Sequence, residues 1–209
     1  KRYNCAITLG GKDVRKTRFV FILIPIFLLS AFTTVTAESE GLTWQDETIY
    51  YLMVDRFNNG NKQNDFDLNT RDPQAFHGGD IEGIRLQLDY LKEMGFTTIM
   101  LTPIFENSGE GYHGFFVVDH FNMDKHYGTV EEFKQLVKEA HERDMKVMID
   151  FVANHVAPNH PWLQEPEKEA WFHPMREISN WDDREELETG WLQGLPDLNQ
   201  DHPEVREYL

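Results

Sequence analysis

Asp150, Asn154 and His155 lie within one six-residue run, Asp150-Phe151-Val152-Ala153-Asn154-His155. A carboxylate, an amide and an imidazole in such proximity can hold and orient hydroxyl groups or move a proton. The run follows a short apolar stretch, Met145-Lys146-Val147-Met148-Ile149, that reads as a buried strand. The same sequence of events occurs twice earlier. Asp55-Arg56 follows the apolar run that begins at Thr48, and His113 lies in the segment after Thr97-Thr98-Ile99-Met100-Leu101. In a parallel barrel the ends of successive strands converge on one rim, and the loops there build the site. Tyr112, Phe115, Phe116, Trp162 and Trp171 accompany these polar residues. Aromatic rings stack on the apolar faces of pyranoses while polar groups bond their hydroxyls, so the combination suits sugar binding.

The elements that must position these residues alternate. Thr48 to Val54 is a β-rich apolar run, followed by a loop from Asn58 to Gly79 rich in Asn, Asp and Gly. Ile84, Leu88 and Leu91 recur at helical spacing, with Gly95 as the stop. After the strand over 97–101, halted by Pro103, a second loop is expected to run to about Tyr127. Thr129 and Glu132 then have the spacing of a capping box, and Phe133, Leu136, Val137 and Ala140 form the apolar face of the helix it starts. Strand, helix and strand in this order predict an α/β fold with a parallel sheet and right-handed crossovers. Residues 156–194, rich in Pro, Trp and acidic residues and with little periodicity, read as an inserted subdomain or a functional lid. A further helix is expected from Pro203. A closed eight-stranded barrel needs about 250 residues, so the fold class is the N-terminal part of a (β/α)8 barrel.

Residues 1–37 are set apart as upstream residues and a secretory leader. Lys12 to Arg18 is basic, Phe19 to Phe32 is an apolar run of 14 residues, and Val35-Thr36-Ala37 offers small residues for cleavage. The run is shorter than the roughly 20 residues of a membrane span. A secreted product without stable membrane association is expected; a leader left uncleaved would retain the chain at the membrane. Of 20 basic and 36 acidic residues, the leader holds six and one, which leaves 14 and 35 and a net charge of −21. That balance argues against nucleic acid and anionic membranes as partners and supplies carboxylates for a hard cation. Cys5 is the only cysteine and precedes the leader's apolar run, so neither disulfides nor a thiol mechanism is expected in the mature part.

Four motifs together resemble the α-amylase family of glycoside hydrolases. They are Gly95-Phe96-Thr97-Thr98-Ile99-Met100-Leu101-Thr102-Pro103-Ile104, Gly111-Tyr112-His113-Gly114-Phe115-Phe116, the run from Asp150 to His155, and Leu195-Pro196-Asp197-Leu198-Asn199. The resemblance covers Thr48 to Leu209. It implies that residues 38–155 are the first three βα units of the catalytic barrel, 156–194 the inserted domain B, and 195–209 the return to the barrel. It implies that Asp150 is a substrate-binding carboxylate, that His113 and His155 bond the sugar, and that Tyr112 and Phe115 stack beside it. Phe115 stands where the family usually has Tyr, so a hydroxyl is lost there.

The resemblance also implies Ca²⁺. Asn154 and Asp197 would hold one ion between barrel and domain B. Asn59, Asn61, Asn64, Asp65, Asp80 and the Gly78 carbonyl resemble a second, N-terminal calcium loop of cyclodextrin glucanotransferases. All-oxygen ligands on a Gly-broken loop suit Ca²⁺ rather than zinc. Composition alone reads the same cluster as turns. The family's members are retaining enzymes with a carboxylate nucleophile and a carboxyl acid/base. The Gly-Phe-Arg-x-Asp type of motif that carries the nucleophile does not occur here, so no catalytic nucleophile or acid is assigned and this stretch is expected to be inactive alone.

The whole protein is expected to be a retaining glycosidase on α-1,4-linked glucans such as starch or maltodextrin. A neopullulanase-like, cyclodextrin-acting or transglycosylating relative is an alternative, and so is a non-catalytic glucan-binding one. His126, His141, His160, His173 and His202 default to structural roles. Trp162, Trp171, Trp181 and Trp191 are expected in a small core of the insertion, and Glu131-Glu132 and Glu185-Glu186 on solvated helix faces.

Overall fold

Three parallel strands lie side by side with their ends aligned, which brings the three polar groups to one edge. The computed structural model describes residues 43–109 and 111–209; the expected leader and Cys5 fall outside them. In chain order the elements are β1 (Ile49–Leu52), α1 (Val54–Phe57), α2 (Ile81–Leu86), α3 (Leu88–Glu93), β2 (Thr98–Leu101), β3 (Phe105–Asn107), β4 (Val117–Met123), α4 (Val130–His141), β5 (Lys146–Ile149), α5 (Arg184–Thr189) and α6 (Pro203–Tyr208). The sheet order is β1-β2-β5, with Ile49 beside Thr98 beside Lys146 and Leu52 beside Leu101 beside Ile149. Helices α2 and α3 connect β1 to β2, and α4 precedes β5. This is the α/β arrangement of an incomplete (β/α)8 barrel with an inserted subdomain.

Leu52, Ile99 and Leu101 from the strands pack with Ile81, Ile84, Leu88, Leu91, Leu136 and Ala140 from the helices, all buried. Helices of six residues do not persist alone in water. Burial of each large aliphatic side chain contributes about 1.5–3 kcal/mol, and that layer holds them. At the opposite ends of the strands, the Glu47 carboxylate accepts the hydroxyls of Thr97 (2.7 Å) and Thr98 (2.6 Å) and pairs with Lys146. The Lys146 bond, then those of Thr98 and Thr97, lower the Glu47 pKa to about 2.

Thr129 and Glu132 form the expected capping box of α4. Elsewhere the sequence reading needs correction. The first strand ends at Leu52, and Val54–Phe57 turns into α1, which draws Asp55 inside. The helix ending near Gly95 is two helices that meet at Gln87. The expected loop up to Tyr127 contains the antiparallel hairpin β3–β4. Trp181 is exposed rather than part of a core. Glu186 accepts the backbone N–H groups of Ser179 (2.7 Å) and Asn180 (2.8 Å), and Glu132 accepts Asn61 Nδ2 (3.2 Å), so neither is merely solvated.

Beyond β5, Val156, Leu198 and Val205 form a second small core, covered by Trp162, Trp171, Phe172 and Leu209. Trp162 meets Trp171 and Tyr208 edge-on at 4.8 and 4.7 Å, and the Lys168 ammonium lies over both indoles. His160 is buried beside Trp162, and its Nδ1 accepts the Trp162 N–H at 3.2 Å. No described helix is long and apolar enough to cross a membrane.

A Cβ at Gly83 would lie 1.8 Å from the Asn58 carbonyl oxygen. Gly→Ala inside a helix normally gains up to about 1 kcal/mol, but here the backbone clash should win, and Gly83→Ala should lose about 1–3 kcal/mol in urea unfolding. A variant as stable as the parent would disprove the close approach. Burial lowers the His160 pKa from 6.5 to about 4. Its stabilisation is therefore complete above the unfolded value of 6.5 and lost as pH falls from there towards 4. The loss should reach roughly 3 kcal/mol. His160→Gln should flatten that part of the stability–pH curve, and an unchanged slope would exclude His160 as its source.

Candidate functional site

The rim begins where β5 ends. The Asp150 N–H donates to the Leu101 carbonyl (2.9 Å), extending the strand pairing, and the Tyr51 hydroxyl donates to Asp150 Oδ2 (3.1 Å). Burial, then the bond to Asp150, raises the Tyr51 pKa and keeps the hydroxyl a donor. His120 Nε2 lies 2.9 Å from the Val152 carbonyl and anchors the middle of the Asp150–His155 run to β4.

His113 and His155 meet at Phe115. The Phe115 N–H donates to His113 Nδ1 (3.0 Å), and His155 Nε2 lies 3.2 Å from the Phe115 carbonyl. These contacts assign the tautomers. An imidazole nitrogen that accepts a backbone N–H carries no proton, so His113 is protonated at Nε2. A carbonyl only accepts, so His155 also carries its proton at Nε2 and spends it on Phe115. Burial is the main cause lowering the pKa of both, and the positive Arg56 nearby adds to the effect on His113. Two neutral imidazoles result, one clamping the loop and one with a free donor. Arg56 donates to the carbonyls of Pro73 (2.7 Å) and Ala75 (3.0 Å), and its guanidinium lies 4.2 Å from the Tyr112 ring centre. Tyr112, His113, Phe115 and His155 are thus brought together, with Asp150 on the adjoining strand end.

The 59–80 loop gathers oxygens. Asn59 Nδ2 lies 2.6 Å from Asp65 Oδ1. Gly78 has φ +92°, and a Cβ there would fall 2.4 Å from Asn59 Nδ2 and 3.0 Å from Asp65 Oδ1, so only glycine lets the backbone approach. The side-chain oxygens of Asn59 and Asn64 are buried without a hydrogen-bond partner among the described residues. Such orphaned acceptors cost about 1–3 kcal/mol each, and an oxygen-seeking cation would relieve both, so this part of the loop fits Ca²⁺. Two of the expected ligands are otherwise engaged. Asp80 accepts the N–H groups of Gly60 (3.0 Å), Asn61 (2.8 Å) and Gly83 (2.6 Å), and Asn61 Oδ1 accepts Gln63 N–H (3.0 Å).

Asn154 and Asp197 also come together, Asn154 Nδ2 lying 2.9 Å from Asp197 Oδ1. His173, read from sequence as structural, places Nδ1 2.8 Å from Asp197 Oδ2. Asp197 is fully buried, and burial raises its pKa. Among the described residues no Lys or Arg pairs with it. A buried carboxylate without a permanent positive partner is a donor set that a hard cation would complete. No cluster of three or more His, Cys, Asp or Glu residues suited to a metal occurs among the described residues. Each candidate position therefore combines one carboxylate, Asp65 or Asp197, with amide or backbone carbonyl oxygens. Sequence reasoning missed Tyr51 and His173.

Comparison with known proteins agrees with this geometry. Residues 51–209 match the family model described as the catalytic domain of α-amylase. The β/α-amylase of Paenibacillus polymyxa is 38% identical over 179 residues, covering 79% of this chain and 15% of that protein. Among solved structures, an Anoxybacillus α-amylase has 58% identity and a TM-score of 0.79, covering 80% of this chain and 37% of that one. The α-amylase of Geobacillus thermoleovorans, solved with acarbose, has 57% identity and a TM-score of 0.76, covering 81% and 37%. The chain thus spans about a third of the length of these solved relatives, and less of the Paenibacillus protein. Aligned parallel strands, polar groups at their shared edge and a family match over residues 51–209 lead to one assignment: the chain belongs to the α-amylase family.

Proposed function

We propose that the protein acts on α-1,4-linked glucans such as starch and maltodextrin, as an exported retaining glycosidase, with the strand-end rim holding the sugar. The observation that carries this reading is the free donor of His113. Its Nδ1 is occupied by the Phe115 N–H, so Nε2–H has no partner among the described residues and stands beside Tyr112 and Phe116. Neutral at ordinary pH, it donates to a sugar hydroxyl without exchanging protons. Asp150, steadied by Tyr51, accepts from another hydroxyl, and Tyr112 and Phe115 supply apolar faces. His155 holds the Phe115 carbonyl and so keeps His113 aimed. The basic stretch and apolar run before Ala37 support export.

His113→Ala should weaken binding of maltoheptaose about five- to hundredfold by calorimetry, the worth of a hydrogen bond of about 1–3 kcal/mol. A β-linked cello-oligosaccharide should not bind. Equal affinity of the variant, or equal binding of the β-linked sugar, would remove the reading. Transfer of glucosyl units rather than their release as reducing ends would favour the transglycosylating relative.

Calcium belongs to the same proposal. Asn59, Asn64, Asp65 and the Gly78 carbonyl would hold one ion, with Asn61 and Asp80 shaping the loop, and Asn154 and Asp197 would hold another. Ca²⁺ supplies a structural cross-link there and no chemistry on the sugar. An ion that binds only the folded state stabilises it by mass action. EDTA should therefore lower the melting temperature, and Asn64→Ala should reduce that drop. A melting temperature indifferent to EDTA would count against both positions.

A further inference from the structure

Asp197 is completely buried, yet among the described residues its carboxylate has only two side-chain partners, Asn154 and His173, one on each oxygen. We infer that His173 is a positioning residue for a cation held by Asn154 and Asp197: it fixes one carboxylate oxygen so that the other faces the ion. The inference rests on the calcium reading of this junction given above.

The carboxylate can turn about its Cβ–Cγ bond, and a turning ligand binds an ion weakly. His173 removes that freedom. A carboxylate only accepts, so His173 Nδ1 donates to Oδ2 at 2.8 Å, and Oδ1 is left on the side of Asn154. The His173 backbone is itself held. The His173 N–H donates to the Asp197 carbonyl (3.0 Å), and the Trp191 indole N–H donates to the His173 carbonyl (2.9 Å). Phe172 pairs with Leu198 in an antiparallel bridge alongside. Asn154 is anchored in turn, its carbonyl accepting the Leu198 N–H at 2.8 Å. Turning the Asn154 amide about its last bond places its oxygen where Nδ2 now lies, next to Asp197 Oδ1. Two oxygens from opposite segments then face one point: His173 fixes the carboxylate, and the Leu198 N–H fixes the backbone that carries the Asn154 amide. Outer partners that orient a ligand in this way are typically worth 10–100-fold in metal affinity.

The test is calcium titration of the full chain by calorimetry and equilibrium dialysis. Asp197→Asn identifies the junction ion by its loss. His173→Ala should weaken that ion by about 10–100-fold and leave the loop ion unchanged. His173→Asn, whose Nδ2 falls near the place of the imidazole Nδ1, should restore most of the affinity. A purely packing role for His173 predicts no such rescue, since both variants delete the ring. Should His173→Ala fail to fold, His173→Gln, with its donor displaced by one methylene, should show the same weakening. Junction affinity unchanged in the Ala or Gln variant, or an Asn variant as weak as Ala, would overturn the positioning role. Asp197→Asn binding as many ions as the parent would instead remove the calcium reading of the junction, and the positioning role with it.

Discussion

Asp55 is buried at the end of β1, and its carboxylate is the point from which both the rim and the 59–80 loop are hung. It accepts the backbone N–H groups of His77 (2.9 Å) and Gly78 (3.1 Å) and pairs with Arg56. The first two bonds fix the returning arm of the loop, so the Gly78 backbone presses against Asn59 and Asp65. The pairing with Arg56 fixes a guanidinium that reaches Pro73, Ala75 and the face of Tyr112. Charge-assisted bonds of this type contribute more than neutral ones. A buried ion pair broken on one side costs about 3–5 kcal/mol, because the remaining charge is stranded. The interaction therefore does more than stabilise: it couples the position of the Tyr112 ring to the conformation of a loop about twenty residues away from Asp55 in sequence.

Much of this was legible in the sequence because short-range physics dictates it. Apolar runs marked β1, β2 and β5 to within a few residues, since the strands of a parallel sheet are rich in apolar residues, although only β2 is largely buried among them. The Thr129–Glu132 spacing gave the start of α4 because both halves of a capping box lie within one turn. The hairpin β3–β4 was not legible. Its register shifts at Phe105/Glu106 and again at Glu106/Asn107, so the alternation that reveals a half-buried strand never develops. His173 was hidden for a different reason. It sits in a segment without periodicity, and its partner lies 24 residues further on, brought back by the pairing of Phe172 with Leu198. Glu186 likewise read as a solvated residue because the Ser179–Asn180 backbone it caps folds back from outside its own helix.

Site chemistry was legible in residue type but not in division of labour. His113 and His155 look equivalent in sequence, each an imidazole in a strand-end motif. In the fold they are not. Both are neutralised by burial, yet one spends its N–H on the Phe115 carbonyl and the other keeps it. That difference comes from a single residue, Phe115, whose N–H and carbonyl serve the two rings in turn. The Phe at this position costs the rim a side-chain hydroxyl, but the backbone of the same residue sets the tautomer on which the free donor of His113 depends.

The two cation positions differ in what they would relieve. At 59–80 the orphaned Asn59 and Asn64 oxygens are neutral, so the free energy at stake is that of unmade hydrogen bonds, about 1–3 kcal/mol each. At the junction it is the burial of a carboxylate, already softened by His173 and Asn154. Part of the charge of that carboxylate is met by hydrogen bonds, whereas the two amide oxygens find no partner among the described residues. An ion would thus relieve two unmet acceptors at the loop and complete a partly met carboxylate at the junction. With cysteine confined to position 5, no disulfide can cross-link these segments. Ions at the two positions would add to the bonds that Asp55, Asp80 and Glu132 make to the loop and to the contacts among Asn154, Asp197 and His173 at the junction, in a chain whose excess of carboxylates otherwise favours their separation.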